Sequence, residues 1–250
     1  MHYTRRPINI VIYTDEGAVP HAAEQALAFC RTLFGKSAVK EISAAQTRTQ
    51  NWQAETNLYV VPGGPTSVMH KTLGEEGFQN LKHYVADGGR YMGFCGGAYF
   101  GCASVEFAKG DPELERTSKQ ELSFFKGAGV GPVYPNFEYG TNRGGHVVPL
   151  EITGQSQPFA TYFDGGGFFQ NAEQYTDVEI LARYKKDDTA AVVLRTVGKG
   201  KALLSGAHIE YCPTLMNTED TYLQPLLPQL HQQNEARQKI CQNWVSKLLA

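Results

Sequence analysis

Cys95 stands in the string Gly93-Phe94-Cys95-Gly96-Gly97, a nucleophile-capable residue with glycines two before and two after it. The preceding run, Arg90-Tyr91-Met92-Gly93-Phe94, reads as the end of a buried strand. The next residues, Ala98-Tyr99-Phe100-Gly101-Cys102-Ala103 and then Val105-Glu106-Phe107, read as the first turns of a helix. Strand, sharp turn and helix around such a residue make the nucleophile-elbow pattern. The turn forces unusual φ and ψ on the central residue, so its neighbours must be small. The thiol then projects from the carboxyl end of the strand. Backbone N–H groups at the start of the helix can stabilise a thiolate or a developing oxyanion there. A cysteine packed into a tight Gly-rich turn gives the same string, so the reading needs a base elsewhere.

Of the seven histidines, His208 is the best placed. It follows Leu203-Leu204-Ser205-Gly206-Ala207, a strand ending in small residues, and Glu210 lies two positions on. In extended backbone, residues two apart point the same way. Glu210 can therefore hold the imidazole tautomer while the other ring nitrogen faces Cys95. Cysteine, histidine and an acid close behind make a nucleophile, a base and its orienter. A surface histidine beside a surface glutamate would look the same in isolation. His146, after Gly144-Gly145, is the competing base and has no acid near it in sequence.

Gly63-Gly64 follows a strand and can present an N–H from Gly64 to an oxyanion, with the N–H of Gly96 as its partner. Asp164-Gly165-Gly166-Gly167 is a second unusual turn. Three successive glycines cost backbone entropy and imply close approach to a ligand or to another backbone, or else a loose hairpin loop. Gly63, Tyr99, Asp164, Gly165 and Gly166 are accordingly the candidate ligand-binding residues. Cys102 reads as packing on the helix after the elbow.

The elements that must position these groups alternate over the first part of the chain. The β-branched run 8–13 is a first strand. Pro20 opens a helix whose Ala23, Ala26, Leu27, Cys30, Leu33 and Phe34 recur at helical spacing until Gly35. Strands at 38–42 and 58–61, a helix at 73–85 and the strand before Cys95 come next. This pattern predicts a doubly wound, mostly parallel α/β sheet flanked by helices, with ligands bound beyond the carboxyl ends of its strands. From Asp111 onward, short strands separated by Gly and Pro are expected at 122–125, 147–152, 159–163, 178–184, 190–197 and 202–206. They add strands in the second half of one domain spanning 1–250. Gly198-Lys199-Gly200-Lys201 is a hairpin-type turn. Residues from about 219 to the end read as helical, with Ile240, Trp244, Leu248 and Leu249 on one face.

Composition narrows the classes. The chain has 250 residues, 42% apolar and 19% charged, with a formal net charge of -2. Nothing there favours nucleic acid or an anionic membrane surface. The apolar run after residues 1–7 is too short for a signal sequence, and no stretch is long enough to span a bilayer. The five cysteines, Cys30, Cys95, Cys102, Cys212 and Cys241, form no C-x-x-C pair. They read as reduced thiols of a cytoplasmic protein, with no metal site and no cofactor.

The chain resembles the class I glutamine amidotransferase-like superfamily through its elbow, Gly63-Gly64-Pro65 and His208-x-Glu210. More closely, it is similar to the amino-terminal domain of fungal biotin–protein ligases and its stand-alone relatives. The segments that carry this are Val61-Pro62-Gly63-Gly64, Gly93 to Gly101, Val105 to Pro112, Phe124 to Gly127, Tyr162 to Gly167, Ala190 to Leu194 and Ser205 to Glu210. The resemblance implies a flavodoxin-type sandwich with Cys95 as nucleophile, His208 as base and Glu210 as orienter. Two departures bear on function. Glutamine-using amidotransferases carry Gln four residues after the nucleophile, where this chain has Tyr99. The basic, Gly-rich biotinyl-adenylate loop of a ligase has no counterpart up to Ala250, so no biotin transfer by this chain alone is expected. Three readings stand: a Cys-His-Glu hydrolase or amidotransferase-like enzyme on a small acyl or amide substrate, a binding or regulatory module, and a thiol redox sensor. The partners implied are a small molecule and a biotin ligase or carboxylase-related protein, with the chain a monomer or homodimer.

Overall fold

The computed structural model describes residues 8–250; residues 1–7, read from the sequence as no signal segment, lie outside the described residues. The first strand, β1 (Ile10–Tyr13), is buried along its whole length. Such a run suits a parallel strand covered on both faces. Helix α1 (Pro20–Phe34) starts on proline and ends where Gly35 adopts φ 84 and its N–H reaches Arg31 O. A glycine takes that conformation without the Cβ penalty. Strand β2 (Val39–Ile42) leads to the short α2 (Ala44–Arg48), which Ser43 and Gln46 close with a reciprocal capping box. Then come β3 (Leu58–Val61), α3 (Thr66–Ala86) and β4 (Arg90–Phe94). Helix α3 starts seven residues before the expected 73, and its continuity breaks at Gly74 (φ 61).

After β4 the sequence expectation is corrected. Helix α4 covers only Gly96–Phe100, and Cys102–Phe107 is a strand, β5, with Cys102 in it and fully buried. Val105 and Phe107 are buried and Glu106 between them is not, a period of two rather than 3.6. Strand β6 (Arg116–Lys119) is exposed throughout and β7 (Phe125–Gly131) is Gly-rich, so neither carries a strand signature. Of the strand expected at 122–125 only Phe125 belongs to β7, because Ser123 turns the chain with φ 50.

The remaining strands are β8 (His146–Ile152), β9 (Phe159–Phe163), β10 (Phe168–Phe169), β11 (Val178–Tyr184), β12 (Ala190–Val197) and β13 (Gly200–Ser205). Helix α5 (Leu227–Leu249) begins eight residues later than expected, with Pro228 in its first turn. Before it, Asp220 accepts from the N–H groups of Tyr222 and Leu223 and holds a turn instead.

Nine strands form one sheet in the order β2-β1-β3-β4-β13-β12-β11-β8-β9, and β10-β7-β5-β6 form a second. From β2 to β13 the large sheet is parallel; from β13 to β9 it is antiparallel. Alternate residues of the parallel strands face different cores. Ile12, Val60, Phe94 and Leu203 pack with Phe29 of α1 and with Trp244 and Leu248 of α5. Tyr13, Tyr59, Val61 and Leu204 pack with Met69, Leu73 and Leu81 of α3 and with Phe125 and Phe169 of the second sheet. Each such buried side chain contributes about 1.5–3 kcal/mol, so both helical layers are needed to hold the sheet beneath the site. The chain is thus a doubly wound α/β fold with a parallel-rich sheet flanked by helices and further strands in its second half.

Candidate active site

Three adjacent parallel strands end level with one another. Val61 of β3 pairs with Gly93 of β4, and Phe94 pairs with Ser205 of β13. The residues just beyond, Gly63-Gly64, Cys95 and Gly206 to His208, therefore line one edge. The elbow is stitched to both neighbours: Cys95 N donates to Ser205 O at 2.9 Å, and Gly97 N donates to Pro62 O at 3.1 Å. Cys95 itself has φ 46 and ψ -107, outside the regions that L residues favour. Strain of this kind costs about 1–3 kcal/mol and persists only where the surroundings impose it. Glycine is required around it. A Cβ on Gly97 would overlap the Val61 carbonyl, and one on Gly93 would overlap that of Gly97.

The thiol is half-buried, and Sγ lies 3.4 Å from Asp164 O. The Cys95 sulfur is also within hydrogen-bonding reach of the His208 ring. His208 Nδ1 is 2.8 Å from Glu210 Oε1, and the two residues are 4% and 0% exposed. With Glu210 accepting at Nδ1, Nε2 is the nitrogen left for sulfur. Burial alone would depress the basicity of His208. The Glu210 carboxylate and the Cys95 sulfur outweigh it and raise the ring well above the usual histidine range. The missing side chain at Gly63 makes room for the pair: a Cβ there would sit 3.2 Å from His208 Cε1 and 3.6 Å from Cys95 Cβ.

The backbone of the His-x-Glu segment is held from two sides. His208 N donates to Tyr162 O at 2.9 Å and Thr161 Oγ1 donates to His208 O at 2.7 Å, both from β9. Arg237 and Cys241 of α5 donate to the Ile209 carbonyl between them. The Tyr211 ring lies 4.3 Å from that of His208, and Tyr162 stacks on Tyr211 at 5.1 Å.

Gly64 and Gly96 are in backbone contact. Among the described residues, neither N–H donates to a protein acceptor. Because α4 has only five residues, these single N–H groups are what the elbow offers an anion, not the dipole of a long helix.

The ligand-binding candidates separate. Asp164 lies against Cys95. Gly166 packs on the Gly206 carbonyl, so its close approach is to another backbone, and Gly165 (φ 68) abuts the Phe137 ring. Tyr99 is 6% exposed; its hydroxyl donates to Gly165 O at 3.3 Å and its ring packs against Gly129, Gly131 and Gly167. It is a wall behind the elbow rather than a surface open to a ligand. His146 contacts Pro135 O at 3.3 Å and the Tyr134 ring at 5.2 Å, with no contact to Cys95. Among the described residues no group of three His, Cys, Asp or Glu side chains could hold a metal ion, and no helix is long and apolar enough to cross a membrane.

This arrangement can be set beside known proteins. The family model described as biotin-protein ligase, N terminal, matches residues 8–249. The chain belongs to the biotin–protein ligase N-terminal family. A biotin–protein ligase of Schizosaccharomyces pombe is 34% identical over 214 residues, which are 82% of this chain and 33% of that protein. The chain thus spans about a third of the length of that relative. An uncharacterized protein of Chlamydia muridarum is 29% identical over 247 residues, covering 96% of this chain and 95% of its own. A crystal structure of a glutamine amidotransferase superposes with a TM-score of 0.56 at 21% identity, covering 88% of this chain and 97% of that one. At that identity the likeness concerns the fold.

Within this biotin–protein ligase N-terminal chain, the site residues that sequence reasoning missed are Thr161, Tyr162, Tyr211 and Asn142. Tyr162 OH donates to Asn142 Oδ1 at 3.1 Å, and Asn142 in turn donates to Asp220. Tyr211 follows Glu210 and Tyr162 opens the Tyr162 to Gly167 segment, so both lay at recognised strings; Thr161 and Tyr162 reach His208 through β9, and Asn142 comes from the segment between β7 and β8.

Proposed function

We propose that this protein is a cysteine-dependent hydrolase or acyl transferase acting on a small amide or ester. The observation that carries the reading is the contact of a strained elbow cysteine with a histidine whose other nitrogen rests on a buried glutamate. The Cys95 thiolate attacks the acyl carbon, and the carbonyl oxygen, now anionic, is held by the N–H groups of Gly64 and Gly96. Collapse of the tetrahedral adduct expels the amine or alcohol, which takes a proton from His208. His208 then removes a proton from water, or from an acceptor amine, that attacks the thioester and frees Cys95. Glu210 keeps the ring oriented and supports its charge. Gly63 leaves space between nucleophile and base.

A second reading is a binding module that retains the amidotransferase shape and acts beside a biotin ligase. It is favoured by Tyr99, which fills the place of the glutamine-site residue and packs into the fold, and by the match to one third of a ligase. Under either reading the ligand is a small molecule, and neither nucleic acid nor membrane is a partner. Five free cysteines fit a cytoplasmic setting.

The rate of alkylation at each cysteine, followed by mass spectrometry against pH, tests the first reading. In the native protein Cys95 reacts fastest, and His208→Ala removes that advantage. A Cys95 that behaves like buried Cys30 and ignores His208 rules the enzyme out.

A further inference from the structure

Asp164 presents a carboxylate that the fold leaves unanswered. Its Oδ1 is shut off from solvent and has no hydrogen-bond partner among the described residues. Its Oδ2 has one candidate donor, the Tyr162 hydroxyl at 3.4 Å, but that hydroxyl has a single proton and lies closer to Asn142 Oδ1, at 3.1 Å. A carboxylate accepts at up to four positions and is costly to bury without partners. The positive group that acts on it, His208, is committed to Glu210. Yet the residue is fixed beside the nucleophile by its own main chain, since Asp164 O takes the contact from Cys95 Sγ at 3.4 Å.

Its surroundings suit a cation. The Tyr162 hydroxyl lies at its Oδ2, and the Phe137 ring covers Gly165, one residue after it. Ammonium groups are stabilised by aromatic rings as well as by carboxylates. Gly144 lies against the free oxygen; a Cβ there would stand 2.7 Å from Asp164 Oδ1. Gly144 and Phe137 both belong to the segment between β7 and β8, which contains no helix or strand. That segment closes over the carboxylate and must shift for a ligand to reach it. Metal chelation is a poor fit, because no cluster of three ligating side chains exists among the described residues. Burial pushes the carboxyl up to about 6, against the opposing pull of His208 and the Tyr162 hydroxyl, so it is largely ionised at neutral pH.

We infer that Asp164 is the specificity residue of the site, taking the ammonium or other cationic N–H group of a ligand whose acyl carbon lies over Cys95. The inference deepens the nucleophile reading and rests on it for the placement of the acyl group. It narrows the substrate class to amides and esters that carry an amine.

Methanethiosulfonate reagents test it without a known substrate. Each transfers its thioalkyl group to a thiolate and releases methanesulfinate, forming a mixed disulfide. The aminoethyl reagent is cationic and the methyl reagent neutral. Their rate ratio at Cys95, divided by the same ratio at Cys212, is read by mass spectrometry in the full chain. The normalised ratio is expected to be on the order of ten in the native protein and near one in Asp164→Asn, each taken relative to the neutral reagent in the same protein. Gly144→Ala, which presses a methyl group onto Oδ1, lowers the ratio as well. A ratio that is the same in native protein and Asp164→Asn overturns the inference, whatever the absolute rate at Cys95. A slow Cys95 that keeps an Asp164-dependent ratio supports the cation site and counts against the nucleophile alone.

Discussion

Gly96 and Gly64 touch backbone to backbone: a Cβ on Gly96 would overlap the carbonyl oxygen of Gly64 and crowd its nitrogen. The turn after β3 and the elbow after β4 are therefore parts of one surface. Gly96→Ala must push these turns apart. The expected cost is about 2–3 kcal/mol of unfolding free energy, read from urea melts, together with a loss of selective alkylation at Cys95. A variant with native stability and native thiol reactivity would mean that the two turns are not coupled as described.

Glu210→Gln removes the charge that holds His208 protonated. Burial is then opposed only by the Cys95 sulfur, and the ring should fall from its raised value, a shift visible in the histidine proton resonances against pH. A raised histidine stabilises the fold fully below the unfolded value of about 6.5 and loses that contribution as pH rises through its folded value. Glu210→Gln should thus cost about 3 kcal/mol at pH 6 and clearly less at strongly alkaline pH. A loss independent of pH would show that the carboxylate acts only as a packing group.

Asp164 carries the opposite sign. Its carboxyl is raised from 3.8 to about 6 by burial. Below pH 3.8 it is protonated in folded and unfolded chains alike, and nothing is lost. Between there and about 6 the unfolded chain releases its proton first, so stability declines, and above 6 the full penalty remains. Asp164→Asn is expected to be more stable than the native protein at pH 8, by on the order of 2 kcal/mol, and no more stable at pH 3. Thermal melts at the two pH values check this. A gain at both would point to something other than ionisation.

Cys95→Gly relieves the backbone at φ 46. It should raise the stability of the fold by about 1 kcal/mol while removing the reactive thiol. Calorimetry showing a destabilised variant would place the cost of losing the sulfur contacts above the strain.

Tyr99→Gln tests the departure from glutamine-using relatives. The ring fills the space against Gly129, Gly131 and Gly167, so its loss should cost about 3–5 kcal/mol and confer no glutamine hydrolysis. Release of ammonia from glutamine by the native protein would refute the view that this wall excludes it, and release by the variant alone would show that loss of the ring is enough to admit glutamine.

The local strings at the site were legible because each obeys a short-range rule. A thiol at a strained turn needs small neighbours, so Gly93, Gly96 and Gly97 mark Cys95. His208 and Glu210 lie two apart, so extended backbone brings them to one side. The alternation of apolar strands and helices up to β4 announced the parallel sheet. The segment after Phe100 misled because aromatic and small residues satisfy a helix or a strand, and pairing of β5 with β6 and β7 made the choice. Strands β6 and β7 were invisible for a related reason: one is exposed and polar, the other rich in glycine, and only their neighbours define them. What the chain could not state locally is that β13 inserts beside β4, which sets His208 against Cys95. Nor could it state that β9 reaches back to His208 and sets Asp164 against the thiol. Sequence alone determined which residues are chemically able, since that depends on side-chain type and near neighbours. Tertiary structure decided which of them meet, because long-range strand order follows from burying two cores at once, a property of the whole chain.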